Sequence, residues 1–310
     1  MQPMQRFFRL LLYACFMFAV TAVPAAADLN VRSAILMDVN SGRVLYAQDA
    51  DRRIPPASLA KIMTMYVVMD QVQAGKIRLK DKITISRNAA QQGGSRMHLK
   101  AGEKVSLDSL LAGVAVSSGN DAATAVAEHV SGSVNRFVRL MNDKAKKLGL
   151  KGTAFSNPHG LPAKGQETTA RDMLTLSANY LKAHPEAMRY HRMLTLKHRG
   201  VITVNKNPLL NSCPGADGLK TGWIRASGYN LVSTVKRGKT RLVGVVLGSA
   251  TSRVRADEMR ELVEAGFTAV RSGGKMKVDE ILSRKSSHAV RRPDPQTRST
   301  ANVSGGDNVS

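Results

Sequence analysis

Two residues with the chemistry of a nucleophile and a base, Ser58 and Lys61, begin an apolar run in the segment PPASLAKIMT. On a helix, positions i and i+3 share a face, so the lysine amine can reach the serine hydroxyl across one turn. A serine in the first turn also lies near backbone N–H groups that can stabilise negative charge. The same spacing to a lysine recurs at Ser233 and Ser272, so the pair by itself favours an ordinary helix start.

A second polar group, Ser118 to Asn120, belongs to the segment SSGND between two apolar patterns of helical period. Serine, asparagine and aspartate favour helix N-caps, and the triplet S-x-N also occurs at Ser133 and Ser177. The two serines and the glycine nevertheless predict a loop whose short polar side chains could face a cleft.

The third group is Lys220, Thr221 and Gly222, at the first predicted strand of the C-terminal half, and K-T-G occurs nowhere else in the chain. A cation and a hydroxyl on a strand can bind a carboxylate. The glycine leaves room for a substrate backbone to pair alongside. A plain turn before a strand is the alternative interpretation.

The apolar residues follow a helical period through the middle of the chain and a strand period at both ends. Helices are predicted at residues 59–72, 107–116, 122–130, 134–148, 170–183 and 253–270. Strands are predicted at residues 32–38, 43–48, 219–224, 228–236 and 240–249. This order predicts an α/β (α+β) fold, in which an antiparallel sheet flanked by helices adjoins an all-helical lobe.

In the order S-x-x-K, S-x-N and K-T-G, the three motifs resemble the set found in penicillin-binding proteins and serine β-lactamases. Residues 34–267 also resemble the low-molecular-mass D-alanyl-D-alanine carboxypeptidases, with similar signatures at 155–161 (FSNPHGL), 169–173 (TARDM) and 228–232 (GYNLV). The resemblance implies a β-lactamase-like transpeptidase fold. It also implies an enzyme that removes the terminal D-alanine of peptidoglycan pentapeptide stems and is acylated by penicillins.

The resemblance assigns a role to each catalytic residue. Ser58 would attack the carbonyl between the two D-alanines, and Lys61, kept neutral by burial and by Lys220, would take its proton. Ser118 would relay a proton to the leaving amine. Asn120 would hold the lysine and the substrate amide in position.

The resemblance also implies a set of binding residues. Lys220 and Thr221 would bind the terminal carboxylate, Gly222 would leave space for the peptide, and Lys206 would add a second cation. The backbone N–H groups of Trp223 and of the nucleophilic serine would form the oxyanion hole.

Three alternatives remain open. A D-alanyl cross-link endopeptidase would use the same residues, and the short stretch after residue 267 is similar to shorter soluble members, some of which are endopeptidases. A β-lactamase would need a deacylating glutamate, and Glu167 lies in the right interval but lacks the neighbouring Leu-Asn pattern. A catalytically inactive wall-binding protein is disfavoured because no motif residue is missing.

The first residues predict export. Arg6 and Arg9 precede an apolar run and the alanines at 25–27, as in a signal peptide cleaved before Asp28. The run is shorter than the roughly 20 residues that span a membrane. We therefore expect a soluble protein in the periplasmic or cell-wall space.

The chain carries 46 Lys and Arg against 23 Asp and Glu, a net charge of +23. In an exported protein such a field favours anionic envelope polymers over nucleic acid as partners, and a role in solubility alone is the alternative interpretation. Peptidoglycan stem peptides and, as inhibitors, β-lactams are the other partners that we expect.

The domain predictions are a signal peptide at 1–27, one penicillin-binding domain at 28–270 and a basic disordered tail at 271–310. No cofactor or metal is expected. His184, His191 and His198 would lie roughly 10.5 Å apart along a continuous helix, too far to share a metal, and are predicted to be surface residues.

Overall fold

The computed structural model describes residues 28–290, with side chains up to residue 284. The predicted signal peptide and the last twenty residues of the predicted tail lie outside this range. Between residues 28 and 290, no helix is both long and apolar enough to cross a bilayer.

The elements follow the predicted order. The strands in this part of the chain are β1 (Ser33–Asp38), β2 (Arg43–Gln48), β3 (Lys82–Thr84), β4 (Lys104–Ser106), β5 (Thr195–His198), β6 (Val201–Val204), β7 (Ala216–Ile224), β8 (Gly228–Arg237) and β9 (Thr240–Ser249). The helices are α1 (Ala60–Gln73), α2 (Arg87–Ala90), α3 (Leu107–Ala112), α4 (Asn120–Ser131), α5 (Val134–Lys147), α6 (Ala170–Ala183), α7 (Met188–His191), α8 (Leu209–Ser212), α9 (Ser252–Arg271) and α10 (Val278–Val290).

Five strands form one antiparallel sheet in the order β2, β1, β9, β8, β7. Successive side chains of a strand point to opposite faces, so β1 contributes to two cores. Ile35 belongs to the core that contains α1 and α6, whereas Leu36 belongs to the core formed with α9 and α10. The predicted sheet flanked by helices is therefore confirmed, and β7, which carries the K-T-G motif, is an edge strand.

The helix α1 is enclosed by the rest of the protein. The first ten residues of α1, from Ala60 to Met69, are all buried, including the polar Lys61 and Thr64. Helices α4, α5 and α6 and the sheet surround it. Burial on every side explains why a lysine in this helix has no access to bulk water.

The helical lobe consists of α2 to α5 and carries the S-x-N motif. After α3 the chain makes a π-helical turn, Gly113–Ser117, which ends at Ser118 with a left-handed backbone (φ 55°). The following residues begin α4. Two small antiparallel sheets, β3–β4 and β5–β6, were not predicted, because three- and four-residue strands are too short to show a period.

The prediction of a disordered tail from residue 271 is wrong for the first part of that segment. Helix α10 packs against α9 and β2, and its side chains Val278, Ile281 and Leu282 are buried. These apolar residues lie at i, i+3 and i+4, so they share one helix face. The disorder prediction used the composition of the whole segment, which is rich in serine and arginine, and therefore did not detect this short apolar pattern.

We predict that Leu282→Ala lowers the free energy of unfolding by about 2–3 kcal/mol, because a fully buried leucine leaves a cavity in the core shared with α9. Urea denaturation measures the change. The exposed Lys275→Ala is the control and should stay within about 0.5 kcal/mol of the parent. Equal stability of the two variants would show that α10 does not pack on the sheet.

Candidate active site

Ser58 lies in a 3₁₀ turn, Ala57–Leu59, that leads directly into α1. Ala57 has a left-handed backbone (φ 49°), a conformation that costs an L-residue about 1–2 kcal/mol. The loop carrying Gly160 packs on this turn so closely that a Cβ at Gly160 would lie 1.7 Å from the Ala57 carbonyl oxygen. The turn that presents Ser58 is thus held by tertiary contacts.

Lys61 is completely buried, and its amine has three oxygen neighbours. Nζ lies 2.7 Å from Asn120 Oδ1, 2.6 Å from the His159 carbonyl oxygen and 3.2 Å from Ser58 Oγ. A neutral amine has two N–H donors and one lone pair. The two shorter contacts can take the donors, which leaves the lone pair for the hydroxyl proton of Ser58.

The environment of the Lys61 amine favours the neutral form. Burial lowers the Lys61 pKa well below its usual value, and the nearby cations Lys220 and Lys206 lower it further, against the opposing charge of Asp121. Burial also lowers the pKa of Lys220 to about 7, with Lys206 and Arg255 adding to the shift.

Asn120 is oriented by backbone groups of the loop at residues 93–99. Its Nδ2 donates to the Gly93 carbonyl (2.6 Å), and its own backbone N–H donates to the Ser95 carbonyl (2.7 Å). The neighbouring Asp121 is fully buried and accepts the backbone N–H groups of Met97 and Leu99. These bonds fix the amide oxygen that faces Lys61.

The edge strand β7 places the K-T-G motif against the serine turn. A Cβ at Gly222 would lie 3.1 Å from the Ser58 backbone nitrogen, so the strand and the turn are in direct contact. Lys220 is buried, and its Nζ donates to the Thr221 carbonyl (2.9 Å). Trp223 is 56% exposed.

A cleft of about 610 Å³ opens above this contact. The predicted site residues that line it are Ser58, Ser118, Lys206, Thr221, Gly222 and Trp223. The buried polar side chains of Lys61, Asn120 and Lys220 lie behind this lining. The structure thus brings together residues from three distant parts of the chain.

Lys206 reaches across the cleft to the helical lobe. Its Nζ donates to Ser95 Oγ (2.8 Å). Ser95 precedes the segment tied down by Asp121, so this bond joins the sheet side of the cleft to the loop that orients the second motif.

Ser95, Tyr229 and Arg255 are among the residues lining the cleft that sequence reasoning missed. Arg255 is 7% exposed, its guanidinium lies 5.9 Å from the Tyr229 ring, and its Nε has no hydrogen-bond partner in the described part of the protein. A buried, incompletely paired guanidinium beside a cleft is a candidate for binding an anion. No sequence signal distinguishes Arg255 from the other arginines near the start of α9.

The prediction of three surface histidines is wrong for two of them. His184 is fully buried with Nε2 2.8 Å from Asp70 Oδ1, and His191 is buried with Nδ1 3.2 Å from the Leu219 carbonyl. His198 is partly exposed and lies 3.1 Å from Glu103. The three do not belong to one helix, because the chain turns at Pro185 and again after α7.

His159 has a structural position beside the lysine. Its carbonyl accepts from Lys61, and its Nδ1 accepts the N–H of Leu161 (3.2 Å). Burial is the main cause that lowers the His159 pKa, to about 3, so the ring is neutral at physiological pH.

The sheet, the helical lobe and the three converging motifs define the penicillin-recognising fold. The crystal structure of ampicillin-bound penicillin-binding protein D2 from Listeria monocytogenes superimposes on this protein with a TM-score of 0.71. The two sequences are 30% identical, and the match covers 78% of this chain and 99% of that one. A family model described as D-alanyl-D-alanine carboxypeptidase matches residues 19–251. The chain belongs to this family.

Two curated relatives differ in the activity that their names state. The D-alanyl-D-alanine carboxypeptidase DacC of Escherichia coli (strain K12) is 43% identical over 264 residues, which are 81% of this chain and 66% of that protein. The chain therefore spans just under two thirds of the length of this relative. The D-alanyl-D-alanine endopeptidase of Pseudomonas aeruginosa is 30% identical, over 82% of this chain and 84% of that protein.

We predict that Lys220→Met makes stability less dependent on pH. The folded pKa of Lys220, about 7, is below the usual lysine pKa of 10.5, so between these values the unfolded chain binds more protons and stability rises with pH. The variant lacks this group, so its free energy of unfolding should rise less steeply between pH 7 and 10.

Urea denaturation at several pH values measures this slope. The exposed Lys80→Met is the control and should keep the slope of the parent. A parent slope retained in Lys220→Met would mean that the Lys220 amine is solvated in the folded protein.

Proposed function

We propose that this protein is a serine D-Ala-D-Ala carboxypeptidase that removes the terminal D-alanine from peptidoglycan pentapeptide stems. One observation carries the proposal: the buried Lys61 amine lies 3.2 Å from Ser58 Oγ at the base of a cleft that Thr221 and Gly222 line. A lysine with a lowered pKa can take a proton from a serine, and an aligned nucleophile and base are the requirement for acyl transfer. Family membership supports the same reaction.

In the proposed reaction, Ser58 Oγ attacks the carbonyl carbon of the penultimate D-alanine while its proton passes to Lys61 Nζ. The negative oxygen of the tetrahedral intermediate accepts hydrogen bonds from the backbone N–H groups of Ser58 and Trp223. The C–N bond then breaks, and the leaving amine takes a proton from the lysine through Ser118. Water hydrolyses the resulting ester with the same groups, which releases the shortened stem.

The terminal carboxylate of the stem is proposed to bind at the cationic end of the cleft. The Thr221 hydroxyl and the side chains of Lys206 and Arg255 line this region, with Lys220 behind it. Several cations around one carboxylate form charge-assisted hydrogen bonds with it, and a neutral C-terminus cannot form these bonds. This site would select a free C-terminal D-alanine.

Penicillins are proposed to acylate Ser58 by the same attack on the β-lactam carbonyl. The ampicillin-bound relative supports this proposal, since its fold is shared over 78% of this chain. Cleavage of D-alanyl cross-links is the second candidate activity, and the endopeptidase relative supports it. The larger number of carboxypeptidase relatives with higher identity favours the first activity.

We further propose that residues 1–27 are a cleaved signal peptide and that the mature protein acts in the periplasmic or cell-wall space. The basic charge would there favour anionic envelope polymers as partners.

Ser58→Ala and Lys61→Ala are each predicted to abolish labelling by a fluorescent penicillin and release of D-alanine, with losses of about 10³-fold or more in rate. Ser272→Ala is the matched control, because Ser272 also has a lysine three residues on but lies outside the cleft. Labelling that survives in Lys61→Ala would contradict the assigned base.

Mass spectrometry of defined muropeptides identifies the bond that is cleaved. Loss of one D-alanine from pentapeptide monomers, with cross-linked dimers intact, is the expected result. Conversion of dimers to monomers would instead establish the endopeptidase. Acylation of Ser58 without either product would refute the proposed substrate.

Arg255→Gln is predicted to raise KM about tenfold for a stem with a free C-terminal carboxylate, since it removes one charge-assisted contact. For a stem whose C-terminus is amidated, the parent should already bind poorly, and the substitution should change its KM little. An equal effect on both substrates would show that Arg255 acts on the fold and not on the carboxylate.

A further inference from the structure

A second large concavity, which we call the basic groove, lies away from the catalytic cleft. It has a volume of about 1040 Å³ and is bounded by the β1–β2 turn, the β8–β9 turn and the ends of α6 and α7. Five of its fifteen lining residues are cationic and none is acidic, whereas the whole chain has 46 Lys and Arg in 310 residues. The cations are Lys182, Arg192, Lys236, Lys239 and Arg241.

The arginines and the lysines of the basic groove differ in their partners. Arg192 and Arg241 both contact Asp217, at 3.3 Å and 2.9 Å, so their charge is partly neutralised within the fold. Lys182, Lys236 and Lys239 are exposed, and in the described residues their amines form no ion pair or hydrogen bond. Three unneutralised positive charges therefore converge on one concave surface.

The basic groove and the catalytic cleft lie at opposite ends of the sheet. Lys236 pairs with Arg241 where β8 ends and β9 begins, whereas Thr221 of the cleft pairs with Leu231 near the start of β8. Five residues along β8 separate the two pairs, which is roughly 17 Å. A ligand in the basic groove would thus leave the catalytic cleft open.

We infer that the basic groove binds a linear, phosphate-bearing polyanion. Its free cations are lysines, which act as point charges and suit phosphate, whereas the arginines that could grip a planar carboxylate in a bidentate manner already bind Asp217. The lining contains no aromatic side chain, so it offers no stacking surface for nucleic acid bases. A concave surface also fits a chain better than a flat bilayer.

The apolar side chains of the basic groove support a polymer with a sugar or alkyl backbone. Met37 and Val39, which are partly exposed, line it beside the lysines. A chain that alternates phosphates with less polar units would place each unit against a matching surface. The inference rests on the partner class proposed above and assigns it a place on the protein.

Binding is tested with inorganic polyphosphate and the full chain, by fluorescence anisotropy over a series of salt concentrations. The groove variant replaces three lysines: Lys182→Gln, Lys236→Gln and Lys239→Gln. It should bind about tenfold more weakly than the parent, and its plot of log K against log salt should be less steep by about 2, because about three contacts are removed.

The control variant carries the same change in charge on the helical lobe side: Lys76→Gln, Lys80→Gln and Lys82→Gln. These lysines are exposed, and their amines form no ion pair in the described part of the chain. The control should bind polyphosphate within about twofold of the parent, since long-range attraction between exposed charges is screened by salt. Thermal unfolding of both variants establishes that they are folded.

Four outcomes would overturn the inference. They are no binding by the parent at physiological ionic strength, an equal loss in the groove and control variants, tighter groove-dependent binding of polygalacturonate, and tighter groove-dependent binding of phosphatidylglycerol vesicles. The last two would assign the basic groove to a carboxylate polymer or to a membrane.

The catalytic proposal is tested separately by Ser58→Ala. This variant should bind polyphosphate as the parent does, because the basic groove does not include the serine. Polyphosphate binding by this variant would support the inference about the basic groove even if the proposed reaction were wrong.

Discussion

The burial of one amine, that of Lys61, is the constraint on which the rest of the site depends. A lysine inside a helix that is enclosed on every side loses its hydration, so its charged form is strongly disfavoured. The neutral amine still needs hydrogen-bond acceptors, because an unsatisfied buried polar group is costly. Asn120 from the helical lobe and the His159 carbonyl from the following loop supply them. The same contacts that make burial tolerable also orient the amine toward Ser58.

The serine turn is held in place from two sides. Gly160 approaches the Ala57 carbonyl on one side, and Gly222 of the edge strand approaches the Ser58 nitrogen on the other. No side chain fits at either contact without displacing backbone atoms. The left-handed conformation of Ala57 is therefore fixed by packing, and strain of this kind persists only where the surrounding structure determines it. Such rigidity suits a site that must keep a nucleophile, a base and N–H donors in register.

Positive charge is used differently at the two ends of the sheet. At the cleft, Lys206 adds to the lowering of the Lys220 pKa, and both cations add to the lowering of the Lys61 pKa, so the cations act on the chemistry. At the basic groove, the side chains of Lys182, Lys236 and Lys239 are exposed to solvent, where they can contact a partner. Excess charge in the whole molecule is thus compatible with a neutral catalytic amine, because desolvation and not net charge decides the protonation of a buried group.

The sequence by itself determined the elements and the motifs. Apolar periods predicted α1, α6 and the three long strands β7 to β9, and the order of S-x-x-K, S-x-N and K-T-G indicated the chemistry that they could share. These features are local or depend only on order along the chain. The sequence could not distinguish Ser58 from Ser233 or Ser272 by spacing, since all three have a lysine at i+3.

Only the tertiary structure decided what those residues contact. It buried Lys61, paired it with Asn120 59 positions away, and added Arg255, which no motif marks. It also placed His184 and His191 in the interior and folded α10 onto the sheet, against the prediction from composition. The reason is the same in each case: burial and proximity arise from long-range packing, and a pKa or a binding surface depends on neighbours that are distant in sequence.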